Sequence, residues 1–222
     1  MVLTLGIDES GRGPVIGSMF IVGAMFEEEK LKELTRIGVK DSKLLLHHKR
    51  VELAEKIKAL AKRIKVVKVE PAEIDLAVDG KDGLNLNWLE AVKQAEIIND
   101  LRPDRVVIDC PSPNIKAYTE FLMGYIKDEI RDNIELIVDH KADKNYVECS
   151  SASIIAKVER NKEIEELEKK YGEIGPGYQS NPITQEFIKE NWEKHPEIFR
   201  KSWITWQNHR KAKGQKKIDD FD

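Results

Sequence analysis

Cysteine is scarce in this chain. Cys110 and Cys149 are the only two in 222 residues, which gives neither a metal-ligand spacing nor a disulfide framework. Free thiols in a reducing cytosol are the expectation. A bridge between the two is an option if the source is a hyperthermophile. The five histidines, His47, His48, His140, His195 and His209, show no zinc-type spacing and read as surface or loop residues. Also missing are a secretory leader, a transit peptide and any apolar run long enough to span a bilayer. A soluble, intracellular (cytoplasmic) protein with no membrane role is expected. Charge of one sign is not in excess either: 37 basic residues face 40 acidic ones, for a net charge of −3. Overall charge therefore gives no argument for a nucleic-acid partner. No internal repeat is present.

What is there is enough for a core. The chain is 41% hydrophobic, and its length fits one domain or one domain with an appendage. Charged residues reach 35%, above the usual share of about a quarter. The excess is Lys and Glu, a bias typical of thermophile proteins. Charge is also unevenly spread. Residues 40 to 68 are rich in Lys and Arg and are opposed only by Asp41, Glu52 and Glu55. A second basic excess runs from Arg200 and Lys201 to Lys217. Such patches can track phosphates, and solvated helix faces explain each of them equally well.

The pattern of apolar residues predicts strands at 2–7 and 15–26, joined as a hairpin by a Gly-rich turn. A charged helix follows at 27–37, then a basic helix from Asp41-Ser42-Lys43 to about Lys65, with Leu53, Ile57, Leu60 and Ile64 at helical spacing. Further strands are expected at 64–69, 105–109 and 134–139, and helices at 71–77, 84–101, 114–130 and 149–171. Strands alternating with helices predict an α/β fold with a mixed central sheet flanked by helices. After a Gly/Pro loop at 172–182 the chain reads as a helical extension to about residue 212. Trp192, Trp203 and Trp206 form its core, and a polar tail follows. The expected division is a catalytic domain at 1–171, an extension at 172–212 and a flexible tail at 213–222.

Acidic residues recur at predicted strand ends: Asp8 and Glu9, Asp109, and Asp139 or Asp143. Ligands gather at strand ends in α/β sheets. Converging carboxylates need a cation, and hard oxygen ligands favour Mg²⁺ or Mn²⁺. A pair of such ions can cleave a phosphodiester. Any one of these acids is more simply an exposed turn residue; the set, beside a glycine-framed arginine, is not. Neighbouring strand residues face opposite ways, so Asp8 and Glu9 share a site only if the strand ends or curls there. Spacing alone does not choose between Asp139 and Asp143.

The stretch Asp8-Glu9-Ser10-Gly11-Arg12-Gly13-Pro14 resembles the signature of the type 2 ribonucleases H (ribonuclease HII). So do Asp41-Ser42-Lys43, Ile108-Asp109, Lys141-Ala142-Asp143, the run from Ser151 to Val158, and Gly175-Pro176-Gly177-Tyr178. These blocks follow the family's order from residue 6 to about 206. The resemblance implies a ribonuclease H-like fold with a C-terminal helical extension, and a monomer. It implies two-metal-ion hydrolysis of RNA in RNA/DNA hybrids and at ribonucleotides embedded in duplex DNA. The products would be 5′-phosphate and 3′-OH ends, and the role the removal of ribonucleotides and RNA primers in replication and repair.

By position, Asp8, Glu9, Asp109 and Asp143 would be the catalytic, metal-binding carboxylates, with Asp139 in reserve. Gly11, Arg12 and Gly13 would contact the ribose 2′-OH and its phosphate, which suits the chemistry that tells RNA from DNA. Tyr178 would pack on the sugar at the RNA–DNA junction; by itself it reads as a residue that docks its loop. Lys43 and Lys157 would meet substrate phosphates. Ser10 stands where Ala is usual.

The C-terminal run Gln215 to Asp222 resembles the short motif that binds the sliding clamp PCNA. Gln215, Ile218 and Phe221 match three anchors, while Asp222 replaces a usual aromatic. A helical turn seated in an apolar groove is the expected mode; a solvated tail is the plainer one. Two other functional classes stay open on the residues: a related exonuclease or integrase, which the Gly-Arg-Gly turn and tyrosine loop oppose, and a non-catalytic replication accessory, which would not need four acids.

Overall fold

The computed structural model describes residues 2–39 and 45–219, those from 213 onward by backbone alone. A five-stranded sheet forms from β1 (Leu3–Ser10), β2 (Met19–Glu27), β3 (Arg63–Val69), β4 (Arg105–Asp109) and β5 (Glu135–Asp139). Its order is β3-β2-β1-β4-β5. β1 pairs antiparallel with β2 and parallel with β4, and β4 runs parallel to β5, so the sheet is mixed. The expected β1–β2 pair is present, but the first strand is longer than its apolar run. It continues through Asp8 and Glu9 to Ser10, because every residue from Leu3 to Ser10 has a partner on β2.

Ten helices are described: α1 (Leu31–Arg36), α2 (His47–Leu60), α3 (Pro71–Val78), α4 (Leu86–Leu101), α5 (Ile115–Met123), α6 (Asp128–Arg131), α7 (Ala142–Asn145), α8 (Val147–Tyr171), α9 (Pro182–Asn191) and α10 (Ile204–Asp219). α2 begins without a side-chain cap, Leu46 standing at its N-cap. The helix expected at 114–130 is two, α5 and α6, separated at Gly124. α7 was not expected; it is four residues long and too short to show a period.

The chain divides into two compact units. The first holds 1–10, 20–68 and 86–159; the second holds 11–19, 69–85 and 160–222. The turn after β1 and the second half of α8 thus group with the C-terminal residues. The sequence division at residue 171 missed this, since the turn is remote from residue 171 in sequence.

In the first unit both faces of the sheet are covered. Val22, Ala24 and Phe26 of β2 pack with Leu34 of α1, with Leu53, Ala54 and Ile57 of α2, and with Ala152 to Val158 of α8. Gly6 faces α8 so closely that a Cβ there would lie 2.2 Å from the backbone of Glu148. Gly23 faces the other way, and a Cβ there would meet Ile97 of α4 at 2.4 Å. Two glycines on neighbouring strands thus let one helix settle on each face.

In the second unit Val15, Ile16, Ile174, Phe187, Ile188, Ile198, Phe199 and Trp206 form the core. Trp192 meets Trp206 edge-on at 5.3 Å, as the appendage reading expected. α10 extends to Asp219, past Gly214 where a polar tail was expected. Lys, Gln, Arg and Ala are sound helix formers, and polarity alone does not end a helix.

Candidate metal and substrate site

Asp8, Asp109 and Asp143 each place a carboxylate oxygen within 4.8 Å of the others. Three elements bring them there. Asp8 lies on β1, two residues beyond Gly6, and so shares the strand face that packs on α8. Asp109 ends β4, and its Oδ1 accepts a hydrogen bond from the backbone N–H of Ala142 at 2.9 Å. Asp143 sits on α7, just after Lys141, which adopts the left-handed conformation at φ 60°. The Ser150 hydroxyl donates to the Asp143 carbonyl. The sharp turn at Lys141 folds Asp143 back towards the strand ends.

Asp139 pairs in register with Asp109 on the adjacent strand, but it is not in the cluster. Asp143, and not Asp139, is the acid that joins Asp8 and Asp109 in the group of three. Glu9 is also outside the group of three. β1 is still extended at Glu9, so its side chain leaves the strand on the opposite side from that of Asp8, yet its carboxylate stays near enough to be the strongest charge acting on Asp8. The backbone N–H of Glu9 donates to Asp8 Oδ1 at 2.7 Å.

The electrostatics fit a cation. Asp8 is 4% exposed, and its carboxyl is pushed well above the usual range, first by burial, then by Glu9 and further by Asp109. Lys157 and a hydrogen bond with Ser153, both on α8, pull the other way. Lys157 Nζ also donates to Ser153 Oγ at 2.6 Å, so one helix face directs both groups at Asp8. Desolvated carboxylates crowded together resist ionising unless positive charge joins them. Oxygen-only donors suit a hard divalent ion.

A neighbouring network steadies the cluster. His140 Nε2 lies 2.8 Å from the Ser112 carbonyl, and the N–H of Cys110 donates to the Asp139 carbonyl at 2.9 Å. The loops after β4 and β5 are therefore tied together beside Asp109. His140 is an exposed turn residue, as expected, that also tethers the two loops. Both cysteines are free and buried. Cys149 Sγ donates to the Ile7 carbonyl at 3.2 Å, and burial raises the pKa of its thiol.

The second unit carries the other predicted residues. Gly11 adopts φ 89°, and a Cβ there would lie 2.8 Å from the Ser18 carbonyl, so the turn demands glycine twice over. Tyr178 is 42% exposed and lies 3.6 Å from where a Cβ of Gly13 would sit. The guanidinium of Arg160 lies 5.3 Å from the Tyr178 ring centre and donates to the Pro176 carbonyl. Val15 N–H donates to Gly177 O at 2.9 Å, joining turn to tyrosine loop. Glu163 accepts from the Ser18 N–H and hydroxyl at 2.8 and 2.6 Å.

Sequence reasoning missed Arg160, Glu163 and Arg200. Arg200 was counted in a basic surface patch, yet it is fully buried. The signal was its setting, between Phe199 and Trp203. Elsewhere, much of the basic run is neutralised locally: Lys49 pairs with Glu52, Lys58 with Glu55 and Glu159, Lys62 with Glu27, and Arg63 and Lys65 with Asp100. Lys43 and Phe221 lie outside the described residues, and the side chains of Gln215 and Ile218 are not described. Among the described residues no helix is long and apolar enough to cross a membrane.

Comparison with known proteins gives a consistent likeness. The family model for ribonuclease HII matches residues 5–206. The ribonuclease HII of Methanothermobacter thermautotrophicus is 42% identical over 210 residues, covering 91% of this chain and 97% of that protein. The crystal structure of ribonuclease H2 from Pyrococcus horikoshii superposes with a TM-score of 0.85 at 36% identity, over 95% of this chain and 98% of that one. A ribonuclease HII from Archaeoglobus fulgidus, solved as a complex with PCNA, gives a TM-score of 0.79 at 38% identity, over 93% and 96% of the two chains.

Proposed function

Because the chain belongs to the ribonuclease HII family and is a ribonuclease H, we propose that it cuts internally in the RNA strand of RNA/DNA hybrids and on the 5′ side of ribonucleotides embedded in duplex DNA. The ends would be 5′-phosphate and 3′-OH, and the role the clearance of ribonucleotides and RNA primers in replication and repair. The observation that carries the reading is the cluster of buried Asp8 and Asp143 with half-buried Asp109.

Asp8, Asp109 and Asp143 would hold Mg²⁺ or Mn²⁺, with Glu9 beside them. Bound there, a pair of such ions supplies an activated water and offsets charge on the leaving oxygen. The protein's part is to keep the acids dry, close and fixed, so that their geometry needs no rearrangement when substrate arrives. Asp109 is held by the Ala142 N–H, and Asp143 by the turn at Lys141. Lys157 provides a positive charge beside Asp8, suited to a phosphate. Gly11, Arg12 and Gly13 would read the 2′-OH, and Tyr178 would pack on the sugar. Its exposed ring and its arginine backing support that use.

The tail is a docking element in this proposal. Gln215, Ile218 and Phe221 would anchor on a sliding clamp, and the Archaeoglobus relative solved with PCNA supports the idea. The enzyme would act as a monomer. One substrate tests the activity: duplex DNA with a single ribonucleotide, incubated with Mg²⁺ or Mn²⁺. Internal cutting at its 5′ side is expected. Stepwise loss from an end, or binding without cutting, would overturn the proposal.

A further inference from the structure

Among the described residues, the largest wholly buried side chain is an arginine that no predicted role uses. Arg200 is 0% exposed. Its Nε donates to the Gly17 carbonyl at 3.0 Å and its Nη1 to the Arg12 carbonyl at 2.7 Å. Its Nη2 donates to the Gly11 carbonyl. The guanidinium lies 5.0 Å from the Trp203 ring centre, and Trp203 Nε1 donates to the Gly13 carbonyl at 3.0 Å. Two side chains, three residues apart, therefore collect the carbonyls of Gly11, Arg12, Gly13 and Gly17. The backbone registers this segment as well: Ile16 bridges to Phe199, and the Arg200 N–H donates to the Val15 carbonyl at 2.9 Å.

Burying a guanidinium is costly unless its donors are satisfied. Burial and the nearby Arg160 lower the pKa of Arg200 to about 10, with Glu163 and Asp75 offsetting part of that effect. A structural filler need not be charged, and an aliphatic side chain would occupy the space without the penalty. What a guanidinium alone offers is a rigid planar fork that fixes several acceptors at once. Here the acceptors are backbone carbonyls of one turn. With those carbonyls drawn onto Arg200 and Trp203, the conformation of the turn is set before any ligand arrives.

We propose that Arg200, backed by Trp203, is a positioning residue for ribose recognition: it fixes the Gly11–Gly13 turn so that the turn can read a 2′-OH. This rests on the function proposed above. Arg200 touches no substrate; it acts through the turn. Loss of the fork should therefore weaken recognition and leave the acids on β1, β4 and α7 unaltered.

The test compares wild type, Arg200→Lys and Trp203→Phe, full-length and assayed well below each protein's melting temperature. Substrates are an RNA/DNA hybrid and a DNA duplex with one ribonucleotide. Arg200→Lys keeps the charge and loses the fork. It is expected to raise KM at least about tenfold, against the roughly hundredfold that a displacement of about 1 Å can cost, with kcat within about threefold. Trp203→Phe keeps the ring and loses one donor, and should raise KM by a smaller factor. Mn²⁺ binding measured by calorimetry should not change in either. A purely structural role would lower the active fraction, and so kcat, and spare KM. If Arg200→Lys does not fold, Trp203→Phe decides by the same split. Variants that keep the wild-type KM overturn the proposal alone, whereas a wild type that cuts neither duplex overturns the functional reading and this proposal with it.

Discussion

At the scale of single residues, the acids govern behaviour with and without metal. Asp8 is buried beside Glu9 and Asp109, so in metal-free protein its charge opposes folding. Asp8→Asn should raise the melting temperature of metal-free protein, because it removes a desolvated charge and keeps the shape. The same change should abolish the rise that Mg²⁺ or Mn²⁺ gives wild type, where saturation at about 100 times the dissociation constant is worth roughly 2.7 kcal/mol. Calorimetric melting with and without metal measures both. Asp143→Asn and Asp139→Asn form the sharper pair. Loss of Asp143 should lower cleavage by more than the roughly 10–100-fold that an outer partner costs, and loss of Asp139 by less. Equal losses would mean that Asp139 is a ligand too. That pair also marks what could be read from sequence. Both acids are near the end of a predicted strand, and residue type and spacing treat them alike. The difference is the left-handed turn at Lys141, which no hydrophobic period encodes. Arg200 was illegible for a related reason: charge patterning assumes a solvated side chain, and this one is inside.

At the scale of elements, β1 and α8 control the site, because Asp8 is on one and Ser153 and Lys157 are on the other. Their contact depends on Gly6. A Cβ there would lie 2.2 Å from the backbone of Glu148, and a helix backbone cannot step aside as a side-chain end can. Gly6→Ala should therefore cost at least the roughly 1–3 kcal/mol typical of overpacking. Thermal or denaturant unfolding of the variant checks it. Beside that contact, Glu148 is 3% exposed, and burial raises its pKa above 4.5, with Arg105 opposing the shift. The folded chain thus holds this proton to higher pH than the unfolded chain, and stability falls as pH rises from about 4.5 through the raised value. Glu148→Gln should flatten that slope and raise the melting temperature at pH 7; Arg105 keeps Glu135 at 3.7 Å as a partner. Melting from pH 4 to 8 decides it. Most elements were legible from periodicity, β4 to the residue. β1 was cut short because its last residues, Asp8 to Ser10, are polar. They stay in the strand because β2 continues opposite them, a long-range fact that local pattern does not hold.

At the scale of the whole molecule, the question is which parts cleavage can do without. Among the residues whose side chains are described, the core of the second unit draws on those up to Trp206, and the segment that fixes the turn ends at Trp203. Beyond Gly214 the chain adds Lys216 and Lys217 against Asp219, Asp220 and Asp222, so it contributes little net charge to a phosphate-tracking surface. The basic residues Arg210, Lys211 and Lys213 precede the cut. A chain ending at Gly214 loses the last turn of α10 and the anchors Gln215, Ile218 and Phe221, and keeps every group assigned to chemistry or ribose reading. Exposed termini are where deletion is best tolerated. The truncated chain should melt close to the full-length protein and cleave a single-ribonucleotide duplex with kcat and KM within about twofold. Clamp binding, followed by calorimetry with purified PCNA, should fall below detection. A truncated chain that still binds the clamp with full affinity would remove the docking role from the tail. One that loses cleavage instead would move those last residues into the substrate surface, since neither core packing nor net charge would account for the loss.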